Sequence, residues 1–276
     1  MSEPAILVEG VAFDYPRGPR ALDGIDLRVD VGERVVVVGQ NGSGKSTLVR
    51  QFNGLLRPSA GSVSINGRPI GRRHVAELAH EVGLAFQNPD RQIFAGSVRA
   101  EVAFGPRNLG LSQPERDAAV ERAIATAGLV GDEQTNPYDL GFSRRKLLAL
   151  ASILAMETPV VILDEPTTGQ DARGIDRIQR IVADLSAAGR TVIAVSHDMR
   201  FVAESFERVV VMRAGQVVLD GTPGEAFAAA AWPTLASTYL EPPLAARVGA
   251  RLGLGATPTE AALVAALAAR AATAPG

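Results

Sequence analysis

Eight consecutive residues, Gly39-Gln40-Asn41-Gly42-Ser43-Gly44-Lys45-Ser46, combine the groups that polyphosphate chemistry needs. Their spacing is Gly, four residues, then Gly-Lys-Ser. Glycine backbones turn tightly and aim several N–H groups at one point, which makes an anion cradle. Lys45 adds a full charge for the outer phosphates, and Ser46 adds a hydroxyl for Mg2+. A second group lies in Val160-Val161-Ile162-Leu163-Asp164-Glu165, where an apolar run ends in two carboxylates. Asp164 suits the water shell of a magnesium ion. Glu165 suits the orientation or deprotonation of an attacking water. A third candidate is His197, in Val195-Ser196-His197-Asp198, which could contact a terminal phosphate or hold the water and Glu165 in place. The plain alternative there is a helix start capped by Ser196 or Asp198, with the imidazole incidental. Gln87 offers a neutral amide to the metal shell, although a lone glutamine after a strand is also an ordinary loop residue.

The elements that must position these groups read as an open α/β sheet. Arg34 to Val38 is apolar and β-branched and predicts a buried strand leading into the glycine loop. Thr47 to Phe52 predicts a helix whose positive end faces the same anion. Further strands are expected at Val82–Phe86, Val160–Leu163 and Thr191–Val195, and a helix at Asp171–Ala188. That alternation implies a parallel sheet with helices on both faces and ligands at the C-terminal edge of its strands. Ile6 to Val31 alternates like antiparallel strands, with a turn at Pro16-Arg17-Gly18-Pro19. Gly61 to Gly67 predicts a strand ending in an Asn-Gly turn, and Val209–Met212 pairs with Gln216–Leu219 around Ala214-Gly215. From Gln87 the texture changes to polar turns and then helices, at Pro114–Ala127 and Ser143–Met156. The expected division is a phosphate-loop domain over residues 1–222, with a helical insert at about 88–157, and a helical extension over 223–276.

Composition narrows the classes. There is no cysteine, so disulfides, thiol catalysis and thiolate metal sites are excluded. Three histidines make a His-rich metal site a poor fit. With 28 Lys+Arg against 30 Asp+Glu, no basic surplus points to nucleic acid. No run of about 20 apolar residues is present, and Met1-Ser2-Glu3-Pro4 lacks the look of a secretory signal. A link to a membrane is therefore expected through partners.

Together these motifs resemble the ATPase subunit of ABC transporters. On that resemblance, Gly39 to Thr47 is the Walker A loop, Asp164 and Glu165 the Walker B aspartate and catalytic glutamate, and His197 the switch histidine. Gln87 is the Q-loop glutamine, a ligand to ATP and its metal. Tyr15 falls where the family stacks an aromatic ring on adenine, and Asp171 lies in the D-loop. A narrower resemblance, to the ATPases of energy-coupling factor importers, rests on Phe86 to Phe94 and on Glu101 to Leu111. It implies ATP and Mg2+, uptake of a vitamin or transition-metal ion, and a place on the cytoplasmic side of the cell membrane. It also implies three partners: a second ATPase subunit, a transmembrane coupling subunit and a membrane-embedded substrate binder.

The pattern breaks at the family signature Leu-Ser-Gly-Gly-Gln. Here the segment reads Leu140-Gly141-Phe142-Ser143-Arg144. In the family this segment meets the ATP held by the other subunit. Ser143 is the candidate replacement for the lost hydroxyl, and Arg144-Arg145-Lys146 reads as a cationic run able to attract phosphate loosely. Gln170 replaces the usual D-loop leucine. The expectation is a heterodimer with unequal sites, the alternative being a neutral family variant that works normally.

Overall fold

The computed structural model describes residues 3–16 and 18–273. Arg17 of the first expected turn, the initial Met1-Ser2 and the last three residues of the extension lie outside the described residues. Two sheets stack through a shared core. The first is antiparallel, in the order β2-β1-β4-β5, from β1 (Ile6–Asp14), β2 (Arg20–Val29), β4 (Ala60–Ile65) and β5 (Arg68–Pro69). The second has the order β10-β9-β3-β8-β7-β6. Its parallel strands are β3 (Arg34–Val38), β6 (Val82–Ala85), β7 (Val160–Asp164), β8 (Thr191–Val195) and β9 (Arg208–Arg213). β10 (Gln216–Gly221) closes that edge in the antiparallel sense.

β3 shows why the strands are apolar throughout. Side chains alternate between faces, and both faces are buried. Val35 and Val37 pack with the antiparallel sheet and with α1 (Lys45–Phe52), while Val36 and Val38 pack into the helical layer. That layer holds α3 (Val98–Asn108), α4 (Gln113–Ala127), α5 (Phe142–Leu154), α6 (Ala172–Ala187) and α7 (Met199–Ser205). The short α2 (Val75–Leu78) precedes β6. Beyond β10 the chain forms α8 (Pro223–Ala226), α9 (Trp232–Ala236), α10 (Leu244–Arg251) and α11 (Glu260–Thr273). Helices therefore lie on both faces of the parallel sheet, but unequally: one face carries α1 and a second sheet.

α3 replaces part of the stretch expected as polar turns. Gly105 and Pro106 disguise it, since both weaken a helix. Ser97 nevertheless caps it through the Ala100 N–H, and Val98, Glu101, Val102 and Pro106 form its buried stripe. Gly105 is needed for close packing, because a Cβ there would stand 2.5 Å from Met156 Cγ of the chain just after α5.

Candidate functional site

β3 ends at Val38 and the chain enters the glycine loop directly. Gly39 adopts φ 151°, and a Cβ there would stand 2.3 Å from the Met212 carbonyl oxygen and 2.7 Å from Ser43 Oγ. Backbone cannot yield to that clash as a flexible side chain could. Gly39→Ala is expected to cost about 3 kcal/mol or more. Tm should fall by roughly 6–12 °C for a chain of this size. A thermal melt within 2 °C of wild type would contradict it.

Lys45 opens α1 and folds back over its own loop. Its Nζ donates to Gly39 O at 2.7 Å and to Gln40 O at 2.9 Å, which leaves one of its three protons for a ligand. Burial pushes the lysine pKa down, and the charges of Glu165 and Asp164 work against that. Ser46 Oγ donates to Asp164 Oδ1 at 3.2 Å. Asp164 Oδ2 is buried with no hydrogen-bond partner among the described residues. A buried carboxylate oxygen left without a donor, beside a serine hydroxyl, fits a hard divalent cation such as Mg2+. Burial is also the main reason the Asp164 pKa is raised.

Glu165 follows at the end of β7 with φ 52°, a left-handed backbone rare for a residue with a side chain. This turns its carboxylate out of line with Asp164. Glu165 Oε2 and His197 Nδ1 lie 2.7 Å apart. Burial raises the Glu165 pKa, opposed first by His197. His197 leaves β8 just before α7, whose cap is Asp198, accepting from Arg200 N and Phe201 N at 3.1 Å each. Ser196 accepts from Asp198 N. The capping and the imidazole contact thus coexist.

A cleft of about 150 Å³ is lined by Asn41, Gly42, Gly44, Lys45, Ser46, Thr47, Gln87 and Glu165. It gathers the glycine loop, Gln87 and the residue that follows β7 in one place. Tyr15 stands at its margin, sharing a 3.1 Å hydrogen bond with Thr47 Oγ1 and packing edge-on to Phe13. Its ring is partly exposed. Asp171 caps α6 by accepting from Gly174 N at 2.8 Å.

The signature region lies at the first turn of α5, with Gly141 as an N-cap that has no side chain to offer. Ser143 Oγ donates to Gln170 Oε1 at 2.8 Å, and Gln170 Nε2 returns a bond to Ser143 O at 3.1 Å. The Phe142 ring lies against Gly169. The departures in signature and D-loop are therefore bonded to each other. Arg144 pairs with Asp132, and Arg145 with Asp90 and the Leu140 carbonyl. Lys146 is not part of an exposed cationic run. It is 7% exposed, points inward, and donates to the carbonyls of Glu165 and Thr168. Sequence reading misses it because its partners lie about twenty residues away.

A family model described as ABC transporter matches residues 22–168, just over half the chain. The energy-coupling factor transporter ATP-binding protein EcfA of Methanothermobacter thermautotrophicus is 42% identical over 224 residues, covering 80% of this chain and 72% of that protein. EcfA of Methanocaldococcus jannaschii is 44% identical over 217 residues, 78% of each. Among solved structures, cbiO1 from Clostridium perfringens, part of the ABC transporter complex cbiONQ, superposes with TM-score 0.75 at 34% identity. That match covers 90% of this chain and 99% of cbiO1. A dimeric ATP-binding cassette bound to ADP and Pi shares the fold at TM-score 0.72 and 24% identity, over 79% of this chain and 98% of that one. The chain belongs to the ABC transporter ATP-binding family, and within it is similar to the energy-coupling factor and cbiO-type subunits.

Proposed function

We propose that this chain is the ATP-hydrolysing motor of an energy-coupling factor importer, powering uptake of a vitamin or transition-metal ion. The observation that carries the ATPase reading is the 2.7 Å pairing of His197 with Glu165 at a cleft shared by Lys45, Ser46 and Gln87. Water attacks the γ-phosphorus in line, and the bond to the β–γ bridging oxygen breaks with its electrons leaving on ADP. Glu165 takes the proton of that water, and His197 holds the carboxylate in place. Lys45 and the N–H groups of residues 39–47 stabilise charge on the phosphates. Mg2+, when bound, supplies charge neutralisation, with Ser46 and Asp164 as its holders and Gln87 reaching its shell. Tyr15 takes the adenine face. Residues 1–222 form the ATPase unit, and 223–276 an appended helical one.

The partners in this reading are a second ATPase subunit with an ordinary signature, a transmembrane coupling subunit and a membrane-embedded substrate binder, without nucleic acid. No helix among the described residues is long and apolar enough to cross a membrane. The chain then works as a peripheral subunit on the cytoplasmic face, where ATP is available.

An apolar groove of about 330 Å³ supports docking of the coupling subunit. Phe94, Phe104, Ile153 and Met156 line it, and the two phenylalanines stack edge to face at 4.6 Å with both rings partly exposed. Its floor reaches the Q-loop through Gln92, which accepts from Phe86 N at 3.0 Å and donates to Ala149 O and Ser152 Oγ of α5. Buried Glu101 fixes the rim by accepting from Phe94 N and Ala95 N. Motion at the groove is thus one bond from the residue before Gln87. Phe104→Glu is expected to release the chain from membranes and lower uptake at least tenfold, with ATP binding by the isolated chain unchanged. Sedimentation of membranes and calorimetry read the two arms, and retained membrane association counts against this docking site.

The altered signature also favours a second reading, a regulatory subunit with little turnover. Purification from membranes, with companions identified by mass spectrometry and ATP-driven uptake measured, tests the main one. Absence of Mg-ATP binding by well-folded protein would refute both.

A further inference from the structure

The first two turns of α5 grip one short segment by several points. Phe142 lies on Gly169, Ser143 and Gln170 exchange two hydrogen bonds, and Lys146 reaches Glu165 and Thr168. Ser143 and Lys146 are three residues apart, so they share a helix face. The gripped segment, 165–170, starts at the residue read as the catalytic base.

Glu165 needs such a grip. A left-handed backbone at a residue with a Cβ is strained and persists only when its surroundings over-determine it. Both peptide groups of Glu165 are tied. Its N–H donates to Val195 O of β8 at 2.8 Å, and its carbonyl accepts from Lys146 Nζ. The same ammonium holds the Thr168 carbonyl at 3.1 Å, so it spans the Pro166-Thr167 corner. The Thr168 N–H bond back to Glu165 O is long, at 3.4 Å, so the turn's own hydrogen bond is weak. Burying a lysine is unfavourable, and burial pushes the Lys146 pKa down to about 8. A methionine would fill similar volume without that penalty, which points to a role beyond packing.

We propose that Lys146 is a positioning residue for ATP hydrolysis: it locks the Glu165 backbone in the conformation that presents the carboxylate to the cleft and to His197. It touches no reacting atom. Because it sits in α5, whose first turn also carries the altered signature, the setting of Glu165 is coupled to the position of that helix. The proposal rests on the reading of Glu165 as the base.

Lys146→Met in the assembled transporter tests it. We expect kcat for ATP to fall at least tenfold with KM changed less than twofold, and calorimetric ATP binding by the isolated chain to be retained. Lys146→Arg, which restores a cation with several donors, should recover kcat to within threefold of wild type. In a Glu165→Gln background, Lys146→Met should cause no further loss of residual turnover, since it acts through that carboxylate. Wild-type kcat in Lys146→Met overturns the proposal. So does a parallel loss of kcat and ATP affinity that Lys146→Arg leaves uncorrected. If the methionine variant does not fold, Lys146→Gln replaces it, since its shorter amide reaches one carbonyl and not both. A threefold fall in kcat at constant KM then supports the proposal, and wild-type kcat overturns it. Should Glu165→Gln itself turn over ATP normally, the base reading has failed. Should Glu165→Gln be inactive while Lys146→Met is normal, only the positioning role has failed.

Discussion

Glu165→Gln is expected to reduce ATP turnover by about 100- to 10,000-fold, the usual worth of a positioned general base. ATP affinity should stay unchanged, because the phosphate-holding groups on the proposed reading are Lys45 and the loop backbone. The amide keeps the size of the carboxylate and can still hydrogen-bond His197, now 2.7 Å from Oε2, but it cannot take a proton from water. ATP should therefore remain bound in a closed dimer. The same substitution should stabilise the fold. Glu165 is 6% exposed, and burial raises its pKa. The ionised form carries that desolvation penalty. The native state binds more protons than the unfolded one between the ordinary carboxylate range and the raised value, so wild-type stability gains there as pH falls. Removing the charge should therefore raise Tm at pH 7. That advantage should shrink as pH falls through the raised pKa. Steady-state hydrolysis and thermal melts at two pH values check both arms. Wild-type turnover would remove Glu165 from the mechanism, and a lowered Tm would mean that the His197 contact outweighs desolvation.

The parts legible in sequence are those with local causes. A β-branched run, a glycine loop and a helix start are contiguous, so β3, residues 39–44 and α1 can be read together. The antiparallel pair β9–β10 is marked by Ala214-Gly215, both at positive φ. What stays hidden depends on partners far along the chain. Lys146 looks like the third member of a solvated cationic run, and only the packing of α5 under β7 sends it inward. Gln170 and the altered signature read as two separate departures, 27 residues apart, yet they form one hydrogen-bonded pair. α3 escapes because Gly105 and Pro106 are poor helix formers, while its reason for existing is contact with α5. The groove beside Gln92 escapes for the same reason: its walls come from elements as far apart in the chain as Ala76 and Met156.

Unequal use of the two nucleotide sites gives the second large expected effect. The first turn of α5 would meet ATP held by a partner ATPase, and the groups that could do so are already engaged. Gly141 has no hydroxyl, Ser143 donates its proton to Gln170, Arg144 is paired with Asp132, and Phe142 covers Gly169. On the proposed reading, the partner's ATP would meet a bulky, internally satisfied helix end. The ATP on Lys45 meets whatever signature the partner carries. In the assembled complex, Lys45→Ala should lower turnover about 100-fold or more, as expected for loss of a principal charge on the transferring phosphate. The matching lysine change in the partner should lower it far less. Converting Gly141 to Ser and Phe142 to Gly should then raise activity at the second site, with Lys45→Ala in place to silence the first. Steady-state hydrolysis by the single variants and the combined one reads all three effects. Equal losses from the two lysine changes, or full ATP-dependent activity from this chain as a homodimer, would show that Phe142 and Ser143 are compatible with an ordinary signature contact.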